Sequence, residues 1–200
     1  MTDRPSLCRA ALAAAVLASL AGCGTAPPPR LYTLIPIDLP GPPGPPALPM
    51  AVTIVPVHLA EYLDRDEITR WVGPNELQRD DDHHWAERLP VAMTRALAAD
   101  LSILTGRDVR VLAEQPRPGP SLLITLDVQR FEIAQDGSAV LAGRWSALDA
   151  NAVERAGGAL AIHQPVATTA RPDVAAEVAA LNHCLADTAA SIAQGLAAIR

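Results

Sequence analysis

The sequence contains no lysine, few aromatic residues and only three cysteines, and these scarcities exclude several classes of protein. Aromatic residues make up 3% of the 200 residues while apolar residues make up 50%, so alanine, leucine and valine must fill the core. Without lysine there is no Gly-x-x-x-x-Gly-Lys phosphate loop, which excludes a P-loop ATPase. The net charge is −6 and no basic patch is visible, so no nucleic-acid partner is expected.

The first 23 residues have the three-part layout of an export signal. Arg4 and Arg9 precede an apolar run over residues 10–20, and small residues follow directly before Cys23. The run is shorter than the roughly 20 apolar residues that a membrane-spanning helix needs. Residues 20–23 read Leu-Ala-Gly-Cys and resemble the lipobox of bacterial lipoproteins, which implies cleavage before the cysteine and its acylation. An ordinary secretory signal and an uncleaved anchor helix are the alternatives.

Cleavage before Cys23 would divide the chain into three parts. These are a signal peptide of residues 1–22, a proline-rich tether of residues 23–30 and a single domain of residues 31–200. At about 3.1 Å per residue, the tether would hold the domain about 20 Å from the acyl chains. Cys184 would then have no partner for a disulfide, and we expect it to be buried like a small hydrophobic residue.

Strand and helix patterns follow one another in the order strands, helix, strands, helix. Short strands are predicted at 31–35, 51–55 and 108–112, and a proline-rich loop at Pro36–Pro49. A hairpin is predicted from Ile68–Val72 against Glu76–Gln78, with its turn at residues 73–75. Apolar residues at helical spacing predict one helix from Trp85 to Gly106, with Pro90 near its first turn, and a second helix that starts at Pro172.

Three long strands are predicted between the two helices, over residues 122–134, 139–151 and 159–169. Asp136-Gly137 is a type I′ turn signal between the first two strands, and Gly157-Gly158 separates the last two. The apolar residues of the first strand change parity after Val128, which predicts a bulge near Gln129-Arg130. The order of elements predicts an α/β fold, in which two principal helices pack on a mixed, mostly antiparallel sheet.

Asp80-Asp81-Asp82-His83-His84 is the only cluster of residue types that bind metals. Adjacent ligands on one short segment cannot close a tetrahedral site without a distant fourth donor. We therefore interpret the cluster as the N-terminal cap of the first helix, where carboxylates are favourable, and keep a metal site as the alternative. No nucleophile motif such as Gly-x-Ser-x-Gly is present, so no catalytic residue and no cofactor are predicted.

Charged and aromatic residues supply the remaining candidates. Arg130 and Arg144 lie in apolar strands, where buried charge is costly unless paired, so an Arg–Glu pair involving Glu132 is expected and a ligand-binding arginine is the alternative. The three tryptophans are interpreted as core or sheet-face residues, although Trp71 beside an exposed turn could be an interface anchor. Loops carry binding function, which makes four residues candidates for partner binding: Asp64, Arg65, Trp71 and Asn75.

Several segments together resemble one protein family. They are Tyr32-Thr33-Leu34 soon after the cysteine, Tyr62-Leu63-Asp64-Arg65 with Ile68 and Arg70, Trp85-Ala86-Glu87 opening a helix, and Asp127-Val128-Gln129-Arg130-Phe131-Glu132 followed by Gly143-Arg144-Trp145. The family is that of the ABC-type transport auxiliary lipoproteins. The resemblance extends from Tyr32 to the C-terminal helix, and the sequence departs from the family in its long stretch Pro36–Pro49.

The resemblance implies a three-layer α/β sandwich like the N-terminal domain of TolB. It also implies a non-enzymatic lipoprotein of the outer membrane, anchored in the inner leaflet at Cys23 and facing the periplasm. Gly24 agrees with this address, since enterobacterial sorting uses aspartate at that position for inner-membrane retention. The implied partners are a mammalian-cell-entry (MCE) domain protein and an inner-membrane ABC permease and ATPase that move lipids, and a homo-oligomer is compatible with this role.

The role that the resemblance implies is that of an adaptor, an outer-membrane-anchored subunit that docks the far end of the tunnel formed by the MCE-domain protein. Two other functions are weighed against it. One is a carrier lipoprotein that itself holds a lipid in an apolar pocket. The alanine-rich helix and few aromatic residues of this sequence favour tight packing of small side chains over a large cavity, which counts against a carrier. The other is a periplasmic hydrolase, which lacks a motif to frame its nucleophile.

Overall fold

The computed structural model describes residues 27–37, 51–112, 121–167 and 173–199. Cys23 and most of Pro36–Pro49 lie outside these ranges, so the predictions made for them are not addressed by the fold. The described elements are β1 (Arg30–Tyr32), β2 (Ala51–Ile54), β3 (His58–Leu59), a 3₁₀ turn (Glu61–Leu63), β4 (Glu67–Gly73), β5 (Glu76–Trp85), α1 (Leu89–Thr105), β6 (Arg110–Val111), β7 (Ser121–Ile133), β8 (Ala139–Leu148), β9 (Glu154–Gln164) and α2 (Val174–Ala197).

The sheet is mixed and centres on β7. On one edge β7 pairs antiparallel with β8, which pairs antiparallel with β9. On its other edge β2, β3 and β4 pair in parallel with successive parts of β7 from its beginning to its end. β6 extends the sheet beyond β2, and β5 and then β1 extend it beyond β4. The antiparallel pairs are long and the parallel pairs short, so the predicted mixed, mostly antiparallel sheet is confirmed.

The two helices pack against each other, and α2 also covers β7, β8 and β9. Small side chains in both helices allow this close approach, since alanine and cysteine alternate with leucine on the buried stripes. The fully buried residues of the stripes include Ala92, Ala96, Leu97 and Leu101 in α1 and Leu181, Cys184, Leu185, Ala189 and Ile192 in α2. The predicted α/β fold with two principal helices is confirmed. Neither described helix is long and apolar enough to cross a membrane.

The predicted bulge in β7 is present. The pairing of β7 with β8 shifts between Val128 and Arg130, which leaves Gln129 without a partner in the register. Because of this extra residue, Phe131 and Ile133 return to the same buried face as the apolar residues at the beginning of the strand.

The acidic cluster is not a helix cap, and this prediction was wrong. Asp80 to His84 lie inside β5, and α1 begins only at Leu89, with Arg88 as its N-cap and Pro90 in its first turn. Trp85 ends the strand and packs on Phe131, with ring centroids 6.5 Å apart. The spacing of four between Trp85 and Leu89 fits a helix, but a strand end and a short turn bring both side chains to the core equally well.

The prediction that Gly157-Gly158 separates two strands was also wrong. Gly157 and Gly158 lie inside β9, where they pair with Ser146 and Trp145 of β8. The strands instead turn at residues 149–153, where the Asp149 carboxylate accepts hydrogen bonds from two backbone N–H groups of the turn. This is the local chemistry by which aspartate ends a strand.

The turn between β7 and β8 does fall at Asp136-Gly137, but its type differs from the predicted one. Gly137 has a positive φ of 82° and Asp136 has not, whereas a type I′ turn requires a positive φ at both central residues. The Gly137 N–H donates to the carbonyl of Ala134. Residues 135 and 136 are therefore the central residues of this turn, one position earlier than predicted.

Candidate partner-binding surfaces

The four residues predicted to bind a partner fall on two separate surfaces. Asp64 lines a groove beside the start of α1, and the exposed Arg65 follows it. Trp71 lines a shallower pocket at the opposite end of β4, and Asn75 is exposed in the adjoining β4–β5 turn. The structure therefore pairs the candidates by their position along β4 and does not gather them into one site.

The first surface, which we call the α1 groove, has a volume of about 1110 Å³. It lies between the N-terminal half of α1 and the side of the sheet that carries β3 and β6. Val57, Leu59 and Val109 are buried apolar residues of its lining, and Val91 of α1 is 51% exposed in it. The groove is thus an apolar depression that is open to solvent.

A buried threonine holds the wall of the α1 groove in place. The Thr94 hydroxyl donates to the carbonyl of Pro90 at 2.6 Å and accepts from the backbone N–H of Val57 at 2.8 Å. A single side chain thereby joins the first turns of α1 to the segment between β2 and β3. Sequence reasoning missed this residue, because a threonine at an apolar helix position shows nothing of a partner 37 residues away.

Ion pairs surround the α1 groove. Arg88 pairs with Asp64, Arg110 pairs with Asp108, and Arg95 Nη2 donates to Glu87 Oε1 at 2.6 Å. The hydrogen bond from Arg95 is the main reason that the pKa of Glu87 lies below its ordinary value. These pairs are solvent-exposed and contribute little to folding, about 0–1 kcal/mol each, so their arginines are available to an incoming partner.

The second surface, which we call the hairpin-tip patch, consists of Trp71, Val72, Pro74, Leu77 and Arg130. Trp71 and Leu77 lie opposite each other in the β4–β5 hairpin, and the Arg130 guanidinium lies 5.8 Å from the centroid of the Trp71 ring. Val72 is 41% exposed and Leu77 38% exposed. The β7–β8 turn contributes the remaining wall of the pocket beside Trp71.

A buried carboxylate supports the hairpin-tip patch from below. Glu132 is fully buried, accepts from Arg130 Nε at 2.7 Å and accepts from the Tyr62 hydroxyl at 2.9 Å. Burial, together with the nearby charge of Glu132, raises the pKa of Tyr62 well above its ordinary value. The expected Arg–Glu pair is confirmed, and Arg144 likewise pairs with Glu154 at 3.0 Å.

The cost of an unpaired charge in an apolar strand predicted the pairing of Arg130 with Glu132. The two side chains can meet because residues two apart in a strand lie on the same face. Tyr62 was not predicted to take part. Its hydroxyl reaches Glu132 across 70 positions of sequence, and no local pattern carries such information.

Asp80 of the acidic cluster belongs to a structural network. Arg70 Nη1 donates to Asp80 Oδ2 at 2.7 Å, and Arg70 Nη2 donates to Glu177 Oε2 of α2 at 2.6 Å. His83 Nδ1 lies 2.7 Å from Asp80 Oδ1. Burial acts to raise the pKa of Asp80, but the contacts with His83 and Arg70 outweigh it and hold the pKa below its ordinary value. The network ties the β4–β5 hairpin to α2.

The described residues contain no group of three or more His, Cys, Asp or Glu side chains placed to hold a metal ion. His58 and Asp127 form a second histidine–aspartate pair, 2.7 Å apart on the surface. Within the described ranges, no serine or cysteine is hydrogen-bonded to either His58 or His83. Cys184 is a free cysteine and is buried, as the sequence predicted for it, and burial raises the pKa of its thiol to about 12.

Comparisons with known proteins address the family and the fold. The family model described as ABC-type transport auxiliary lipoprotein component matches residues 32–193. The crystal structure of an uncharacterized protein is similar at a TM-score of 0.65 and 18% identity, covering 85% of this chain and 99% of that one. A DUF330 protein from Xanthomonas campestris is similar at a TM-score of 0.63 and 19% identity, covering 83% and 93%. At these identities the likeness concerns the fold alone. No curated protein matches the sequence significantly.

Proposed function

Because the chain belongs to the family of ABC-type transport auxiliary lipoprotein components, we propose that it is a non-enzymatic subunit of a lipid-moving ABC system. In this proposal the protein is anchored at Cys23 in the inner leaflet of the outer membrane and faces the periplasm. Its partners are an MCE-domain protein and, through it, the inner-membrane permease and ATPase. The family match over residues 32–193 is the observation that carries the proposal.

The anchor is tested by the Cys23→Ser variant. We expect this variant to lose labelling by radiolabelled palmitate and to leave the outer-membrane fractions of a sucrose gradient, because it has no thiol to acylate. Unchanged labelling would show that Cys23 is not the modified residue. Wild-type protein found with inner membranes would contradict the proposed address but not the lipidation.

We assign the contact with the protein partner to the α1 groove, and to Asp64 and Arg65 beside it. β6 pairs only with β2 among the described strands, so its outer edge can accept a further strand. An extended segment that adds to this edge would place its alternate side chains in the apolar groove and its polar ones among the arginines. Arg65 is exposed next to the Asp64–Arg88 pair and can contact the same partner.

A charge placed in the α1 groove tests this assignment. Val91→Glu should weaken co-purification with the MCE-domain protein by more than about 1 kcal/mol, or roughly fivefold in Kd, because it buries a carboxylate in an apolar contact. Val153→Glu is the matched control, since Val153 is 52% exposed and lies in the β8–β9 turn. Equal binding by both variants would show that the groove does not hold the partner.

The volume of the α1 groove also favours a second candidate function, the carrier that holds its own lipid. Its volume of about 1110 Å³ is slightly above the roughly 300–1,000 Å³ of ligand pockets, and buried apolar residues form part of its lining. Mass spectrometry of protein purified from membranes decides between the two. Stoichiometric phospholipid that is lost in Val91→Glu, with no binding to the MCE-domain protein, would establish the carrier in place of the adaptor.

A further inference from the structure

We propose that the hairpin-tip patch rests on the surface of the membrane that holds the lipid anchor. Trp71 and Leu77 would then lie at the lipid headgroups, with Asn75 in the turn between their strands. This inference rests on the proposed acylation of Cys23. It assigns Trp71 and Asn75 to lipid and leaves Asp64 and Arg65 for the protein partner.

The direction of β1 shows from which side the anchored end of the chain arrives. β1 pairs in parallel with β5, with Arg30 opposite His83 and Tyr32 opposite Trp85. In a parallel pair the residues before Arg30 lie toward the beginning of the partner strand. β5 begins at Glu76, directly after the β4–β5 turn. The chain therefore reaches β1 from the side of the molecule where the hairpin-tip patch lies, along an edge where residues 27–30 are exposed.

The length of the tether matches the length of the hairpin. Arg30 lies seven positions after Cys23, and a fully extended chain covers at most about 3.3–3.6 Å per residue, which gives roughly 23–25 Å. In β5, His83 likewise lies seven positions after Glu76, which is roughly 23 Å at a strand rise of about 3.3 Å. A tether that continued along the direction of β1 would therefore be long enough to bring Cys23 level with the hairpin turn, and a bent tether would draw the domain closer to the membrane.

The β4–β5 turn and the β7–β8 turn both lie at this end of the sheet. β4 runs parallel to β7, with Arg70 opposite Ile133, so the β4–β5 turn and the β7–β8 turn lie side by side. The β8–β9 turn, which carries Val153, lies at the other end of β8, nine residues or about 30 Å away. The two ends of β8 are thus far enough apart for probes placed at each end to report different parts of the molecule.

The chemistry of the patch suits the boundary between lipid headgroups and acyl chains. The hairpin tip presents exposed aliphatic side chains beside a half-buried tryptophan ring whose N–H is buried in the protein. The apolar body of the ring and these aliphatic side chains are therefore the parts that suit the membrane boundary. Arg130 adds a guanidinium that lies over the Trp71 ring and is held by Glu132 below, so it is positioned to meet lipid phosphate. The patch has no continuous apolar run that could insert deeply, which fits a protein that is held by its acyl chains and only rests on the surface.

Quenching of tryptophan fluorescence by brominated lipids tests the orientation. The lipidated full-length protein is reconstituted into phosphatidylethanolamine–phosphatidylglycerol vesicles with or without dibrominated acyl chains. Trp85 and Trp145 are buried in the protein, so we expect quenching to act mainly on Trp71. Trp71→Phe should abolish most of the difference between the two kinds of vesicle, and in that background Leu77→Trp should restore it. Val153→Trp in the same background is the matched control at the far end and should not be quenched.

Each outcome decides the proposal. Quenching at position 77 and not at position 153 supports it, and quenching only at 153 shows the reverse orientation. Quenching at neither position, in protein that is lipidated and bound to the vesicles, overturns the membrane contact and leaves the patch for a protein partner. Protein that carries no acyl group fails the proposed function instead, which mass spectrometry detects before reconstitution. A thermal unfolding scan of Trp71→Phe, with Leu77→Trp as an exposed-site comparison, shows that the fold is retained.

Discussion

Two regions of the molecule differ in the interactions that hold them in place. The first region is the helix pair with β7–β9, and the second is the N-terminal segment with the β4–β5 hairpin. The first region is packed almost entirely by aliphatic and small side chains, and its central residues have no exposure to solvent. The second region places Leu34, Ile68 and Trp85 in the same core. It also makes directional polar contacts: Arg70 with Asp80 and Glu177, the Ile35 N–H with Asn182, and the Ile37 N–H with Asp100.

The difference has a consequence for stability. Apolar packing contributes the same free energy across the physiological pH range, because it involves no titrating group. Contacts that depend on carboxylates change with pH whenever the folded-state pKa differs from that of the unfolded chain. We therefore expect the first region to set the magnitude of the free energy of unfolding and the second to set its pH dependence. Four predictions test this contrast.

The largest effect is expected from Leu185→Ala in α2. This side chain is fully buried in the core, so its truncation leaves a cavity and should lower the free energy of unfolding by about 2–5 kcal/mol. The loss should be the same at pH 5 and pH 8 in urea denaturation. Leu77→Ala, in the exposed hairpin-tip patch, is the control and should cost little. A pH-dependent loss in Leu185→Ala would contradict the contrast.

Asp100→Asn should stabilise the protein at neutral pH. Burial raises the pKa of Asp100 to about 6 from an ordinary 3.8, against the opposing hydrogen bond from the Ile37 N–H. Between these pH values the folded state keeps a proton that the unfolded chain has lost, so the free energy of unfolding falls as pH rises from about 4 to 6. Asparagine stays neutral and can still accept from Ile37.

The gain in Asp100→Asn should approach about 3 kcal/mol at pH 7 and vanish below pH 4, since one pKa unit corresponds to about 1.4 kcal/mol. Urea denaturation at a series of pH values measures it. A gain that is equal at pH 4 and pH 7 would show that the carboxyl of Asp100 does not titrate differently in the folded protein.

Gly195→Ala should destabilise the packing of α2 on β8. An added Cβ at Gly195 would lie 2.4 Å from Cη2 of Trp145 and 2.5 Å from Cζ2, so the indole ring or the helix must move. We expect a loss of about 1–3 kcal/mol, which outweighs the better helix propensity of alanine. The double variant with Trp145→Phe should recover part of the loss. If Gly195→Ala is as stable as the wild type, the close approach seen here is not obligatory.

The smallest effect is expected from Asp80→Asn, which removes one charged partner of Arg70 but leaves Glu177. Because contacts with Arg70 and His83 lower the pKa of Asp80, its stabilisation is present above the unfolded pKa and is lost as pH falls through the folded one. The variant should lose about 1–2 kcal/mol at pH 7 and nothing in strong acid. Asp82→Asn, at an exposed neighbouring position, should have no such effect in the same thermal unfolding series.

Local sequence patterns predicted much of the fold because they depend on neighbouring residues. The parity change after Val128 predicted the bulge of β7, and charged residues in an apolar strand predicted the ion pair of Arg130 with Glu132. Periodic apolar residues predicted both helices, and Pro90 marked the first turn of α1. The errors arose where two structures satisfy one pattern. The acidic cluster fits a helix cap or a polar strand edge, and only its pairing with β4 decides between them.

By itself the sequence determined the α/β class, the two amphipathic helices and the alternation of strands and helices along the chain, and it predicts acylation at Cys23. These follow from periodicity and short motifs, in which each residue acts with neighbours a few positions away. Tertiary structure alone decided that the four candidate residues belong to two surfaces, that Tyr62 lies over Glu132, and that Arg70 joins the hairpin to α2. The contacts of Tyr62 with Glu132 and of Arg70 with Glu177 join residues 70 and 107 positions apart. The curl of the sheet and the packing of the helices on it determine which of these residues meet.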